Sequence, residues 1–66
     1  MRWTHTIHYA DGGRERADEL NFKDDAEVAE YVKFVGTFRE MRGLPPHDIT
    51  KIVNNRTNEI VWQANN

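Results

Sequence analysis

Three histidines, eleven carboxylates and nine lysine or arginine side chains are the groups of this 66-residue chain that could do chemistry. Their spacing limits what they can do together. Ser and Cys are absent, so the usual nucleophiles are missing. His5 and His8 lie three apart in an alternating segment, which turns them to opposite faces of a strand and keeps them from sharing a metal ion. His47 belongs to a proline-containing loop, so a metal site would need ligands gathered from distant parts of the chain. On this basis no metal and no cofactor are expected. His5 keeps company with Trp3, Ile7 and Tyr9 and is read as a hydrogen-bonded, semi-buried imidazole rather than a base.

The carboxylates are read as helix caps and solvated faces: Asp18, Glu19, Asp24, Asp25, Glu27, Glu30 and Glu40. An acid–base pair needs a cleft to shift its pKa values, and so short a chain has little material for one. The expectation is a protein that is not an enzyme. A basic set, Arg14, Arg16, Arg39, Arg42, Lys51 and Arg56, could gather into a nucleic-acid-binding patch, and this is the alternative function. Against it stand a formal charge of −2, the lack of any RNP, KH or helix-turn-helix pattern, and aromatics assigned mainly to the core.

The element that must position these groups runs from Asp24 to Gly43. Asp24 is an N-cap and Glu27, three residues on, completes a capping-box pattern. Arg39 and Arg42 suit the negative end of the helix dipole, Gly43 suits the left-handed C′ position, and Leu44-Pro45-Pro46 cannot continue the helix. A helix over residues 25–42 follows. Val28, Tyr31, Val32, Val35 and Phe38 recur at spacings of three and four and form its core face. Phe34 and Met41 lie on the flank beside Phe38 and widen the apolar arc to roughly half the cylinder. Two readings of this surplus stand: a curved sheet wraps round and buries it, or Phe34, Phe38 and Met41 form an exposed patch for a second chain. Gly36 either allows a close backbone approach or simply faces solvent.

Both sides of the helix read as strand. Residues 2–10 alternate, with Trp3, His5, Ile7 and Tyr9 on one face and Thr4, Thr6 and His8 on the other. Asp11-Gly12-Gly13 is a hairpin turn, and residues 14–20 return as a charged edge strand, with either Ala17 or Leu20 leading its inward face. Phe22 packs under the helix start. Residues 49–54 and 59–64 make a second hairpin with Asn58 left-handed, pairing Val53 with Val61 and Ile52 with Trp62. That register puts Ile52, Ile60 and Trp62 on the core face and turns Val53 and Val61 outward, either as a simple cross-strand pair or as part of a docking face with Thr4, Thr6 and His8. Asn65 and Asn66 form a frayed tail.

The expected fold is a single α+β domain, β-β-α-β-β, with a four-stranded antiparallel sheet in the order 2-1-3-4 and the helix on one face. A chain this short buries only about 60% of its unfolded surface, and without Cys it lacks disulfide staples. Efficient packing or association with another chain must make up the difference. No apolar run approaches a membrane span and no signal peptide is evident, which fits the cytoplasm. The sequon Asn55-Arg56-Thr57 is then a chance match. In size and plan, though not in residues, the chain resembles small accessory proteins of bacteriophages that act by binding a host protein. The expected function is a small interaction protein, an adaptor or inhibitor, that binds a protein partner or a second copy through Phe34, Phe38 and Met41 or through Val53 and Val61.

Overall fold

A computed structural model describes residues 3–11 and 13–64. Four strands and one helix follow the chain as β1 (His5–Asp11), β2 (Arg14–Leu20), α1 (Asp25–Met41), β3 (Ile49–Asn54) and β4 (Glu59–Gln63). The sheet is antiparallel and open, in the order β2-β1-β3-β4, with α1 across one face. This is the α+β arrangement expected. Arg2, Gly12 and the Asn65-Asn66 tail, each assigned a role above, lie outside the described residues.

Alternation sorts β1 cleanly. His5 and Ile7 are buried on the helix-facing side, whereas Thr6 and His8 face the other way and are half-buried. β1 begins at His5, not at residue 2, because the backbone of Thr4 turns to other partners: its N–H donates to Asn21 Oδ1 and its carbonyl accepts from Asn55 N–H. Trp3 therefore stands outside the strand and is largely exposed. The pairs His5–Leu20, Ile7–Asp18 and Tyr9–Arg16 fix the first hairpin. Leu20 thus leads the inward face of β2, and Ala17 faces outward. Gly13 takes φ +87° in the turn, a conformation that side chains resist.

The helix starts and stops as its sequence dictates. Asp24 accepts from Glu27 N–H at 3.0 Å, while the Glu27 carboxylate reaches back to Lys23 N–H at 3.3 Å. At the other end Leu44 N–H bonds to Arg39 O and Gly43 N–H to Glu40 O, with Gly43 at φ +68°. That pair of bonds is the Schellman stop, and Pro45 then prevents any continuation. Arg39 Nε donates to Pro45 O, which holds the connector against the last turn.

The core is thin: Ile7, Phe22, Val28, Val32, Ile49 and Ile52, with Tyr9, Leu20, Tyr31, Val61 and Trp62 packed round it. Phe22 meets Tyr31 edge-on at 5.3 Å, under the first turns of α1. Two expectations are corrected here. The helix lies nearest β4, so its axis is turned away from β2 and Phe38, expected in the core, is 45% exposed. A β-bulge between Ile52 and Val53 shifts the second hairpin, so that Ile52 still faces Trp62 but Val53 pairs with Ile60 instead of Val61. The extra residue turns Ile60 to the outer face, 50% exposed, and brings Val61 against the core. Val61 is therefore withdrawn from the candidate docking face, and Val53 and Ile60 form its apolar pair. Asn58 takes φ +62° as expected.

Gly36 is half-buried, and a Cβ there would meet only the His47 ring, at 3.8 Å. That is ordinary van der Waals contact. Gly36→Ala should accordingly stabilise the domain by about 0.5–1 kcal/mol in urea unfolding, the helix-propensity gain. The bulge gives a second expectation: Ile52→Ala costs about 2–5 kcal/mol, whereas Ile60→Thr stays within about 0.5 kcal/mol. A large loss at Ile60 would reinstate the unbulged register.

Candidate interaction surface

His5 is the one histidine drawn into a polar cluster. It is 2% exposed, its Nε2 donates to Asp25 Oδ1 at 2.9 Å, and its Nδ1 lies 2.9 Å from Thr4 Oγ1. Asn54, directly across from it on β3, donates through Nδ2 to the same Asp25 oxygen at 3.0 Å. The Asn54 Oδ1 in turn accepts from Arg56 N–H and Thr57 N–H, closing the β3–β4 turn. Thr4 Oγ1 accepts from Phe22 N–H at 2.7 Å. Two central strands, a hairpin turn and the first residue of α1 are thereby joined. With both ring nitrogens engaged below the surface, this imidazole acts as a crosslink; it is hydrogen-bonded as expected, and buried rather than semi-buried.

Sequence alone does not single out Asp25 and Asn54 as its partners, since Asp25 reads as one more solvated carboxylate of the helix start. The strand order could have flagged Asn54, because β1 beside β3 sets the ends of those two strands together. A shallow depression of about 540 Å³ opens beside the cluster, edged by Trp3, Lys23 and Arg56. Its polar floor is already internally bonded, and among the described residues no buried polar side-chain atom lacks a partner. His8 and His47 stand elsewhere. His47 meets Trp62 edge-on at 5.9 Å and accepts weakly from Ile49 N–H. Among the described residues no group of three or more His, Asp or Glu is placed to hold a metal.

The basic residues do not all share one end of the molecule. Arg56, in the β3–β4 turn, is on the Asp25 side of the molecule, at the N-terminal end of α1. Arg39 and Arg42 sit at the other end of this 17-residue helix, about 25 Å away at 1.5 Å per residue. Arg14 and Arg16 lie on the β2 edge, where Arg16 stacks over Tyr9 at 4.5 Å. Lys51 is on the outer sheet face opposite His8.

What the fold does bring together is an apolar strip. Phe34, Phe38 and Met41 are 66%, 45% and 81% exposed. Of the two readings of the helix flank, the wrapped sheet is therefore absent, because β2, the strand on that side, runs exposed from Arg14 to Glu19. The Phe34 and Phe38 rings stack at 6.2 Å with 26° between planes, and the Arg42 guanidinium lies over Phe38 at 5.3 Å. Tyr31, half-buried, continues the strip toward the N-terminus. The outer sheet face offers less: Val53 is half-buried, and Ile60 beside it stands among Thr6, His8, Lys51 and Gln63.

Comparison with known families, with curated proteins and with solved structures finds no match to this chain. No helix among the described residues is long and apolar enough to cross a membrane.

The cluster has a pH signature. Hydrogen bonds from His5 and then Asn54 hold the Asp25 carboxyl below its ordinary value of 3.8. A depressed folded-state pKa adds stability above the unfolded value, and that contribution is lost as pH falls through the folded one. Wild type should therefore exceed Asp25→Asn in urea stability at neutral pH, with the gap closing below about pH 3.8. A gap that stays constant from pH 7 to pH 3 would remove Asp25 from this role.

Proposed function

We propose that this protein is a small, non-catalytic, cytoplasmic interaction module, an adaptor or inhibitor, whose docking surface is the Tyr31–Phe34–Phe38–Met41 flank of α1. The carrying observation is the exposure of three large apolar side chains, side by side on one rigid helix. Together they leave bare on the order of 350 Å². That is a patch of the size, about 300–600 Å², that is often functional on small soluble proteins.

Its spacing defines the occupant. Positions 31, 34, 38 and 41 follow the three–four alternation of a coiled-coil seam, which accepts the apolar stripe of another helix. Glu27 and Glu30 stand at one end of the strip and Arg42 at the other. An antiparallel helix with basic residues facing the first end and acidic residues facing the second fits this pattern. The lack of cysteine supports the cytoplasmic assignment.

A fluorescein-labelled amphipathic peptide tests the reading, built with Leu at a matching seam, Lys at one end and Glu at the other. Saturable binding in the micromolar range is expected by anisotropy. Phe34→Glu should weaken it at least tenfold while changing stability by no more than about 0.5 kcal/mol. Binding that is absent, or equal for wild type and Phe34→Glu, would reject this flank as the docking surface.

A further inference from the structure

The residues along the exposed flank read almost the same in both directions. Tyr31 and Met41, Phe34 and Phe38, and Glu30 and Arg42 are each centred on position 36. Glu30, Phe34, Phe38 and Arg42 also form one unbroken row at spacing four, the ridge along which helices pack. We infer that the helix this surface receives is α1 of a second copy, packed antiparallel about a two-fold axis level with Gly36. This rests on the docking flank proposed above and names its occupant.

The geometry of such a pair follows from the helix. Each step of four residues advances about 6 Å, so the two-fold sets Phe34 level with Phe38 of the copy and Tyr31 level with Met41. Packing the three–four seam of one helix against its own reversed copy crosses the helices at about 20°, the shallow angle of coiled coils. In that crossing the acidic end of each row lies beside the basic end of the other. Every contact then occurs twice, as a two-fold interface requires.

The charges at the ends of the row are available for this. The one ion pair among the described residues is His5–Asp25, so neither Glu30 nor Arg42 pairs with a charge of its own chain there. The aromatic stack and the guanidinium over Phe38 already order the row within one subunit. These contacts lower the cost of ordering Phe34, Phe38 and Arg42 on association. The buried area comes to roughly 1,000 Å² over both copies, at the lower bound for specific interfaces. The dimer is therefore reversible, with a dissociation constant on the order of 1–100 µM.

Sedimentation velocity of the full chain from 1 µM to 1 mM tests this. Wild type should pass from monomer to dimer within that range, and Phe34→Glu and Met41→Glu should each remain monomeric at least tenfold higher in concentration. Circular dichroism should show both surface variants folded. Glu30→Arg and Arg42→Glu should each weaken the dimer several-fold, because each sets like charges together at both ends of the row. An equimolar mixture of those two variants should recover near-wild-type association, since every altered charge then meets its opposite. Self-association without recovery in the mixture overturns the antiparallel register. A strict monomer at 1 mM overturns the self-pairing altogether. Either result leaves the docking flank itself to be judged by the peptide titration, which uses a helix foreign to this chain.

Discussion

One carboxylate oxygen carries the junction between the two layers. Asp25 Oδ1 receives a hydrogen bond from His5 on β1 and another from Asn54 on β3, and it stands at the first turn of α1, where a negative charge also suits the helix dipole. A small core gives little other leverage on the angle at which a helix lies. Here bonds with direction act on that angle beside the apolar contacts of Val28 and Val32. Because His5 and Asn54 are opposite each other across β1 and β3, the same bonds also fix the register of these strands at that end, ahead of the shift between His8 and Tyr9.

The placement of the helix explains where the surface chemistry falls. Anchored at its first turn and inclined toward β4, α1 buries Val28 and Val32 and leaves the flank facing β2 uncovered. β2 offers nothing apolar in return, since its inward positions beside Leu20 are Asp18 and Arg16. Exposure of Phe34, Phe38 and Met41 is thus a product of topology. Three strands supply most of the core side, and the fourth adds only Leu20 to it.

Most of the fold is legible in the residues because local and global signals agree. Caps at Asp24 and Gly43, alternation in residues 5–9, and the Asn58 turn each specify an element without reference to the rest. What escapes is non-local. The β4 run Ile60-Val61-Trp62 is apolar on both faces, so its pattern is equally compatible with either register, and only the bulge decides which side chain turns out. Phe38 lies at the margin of the helical stripe, and whether that margin is covered depends on a tilt that periodicity does not encode. Asp25 resembles any first-turn carboxylate until the sheet order brings His5 and Asn54 to it. For the surface itself, residue types identified the strip, while its exposure needed the neighbouring strand.

The two rims of the sheet are guarded differently. β2 carries Arg14, Glu15, Arg16, Asp18 and Glu19, a fence of charge, whereas β4 has Glu59 alone and relies on its bulge to spoil a flat ladder. Salt and acid erode the first kind of guard and leave the second intact. Joining another strand edge to edge is thus opposed at one border by charge and at the other by shape.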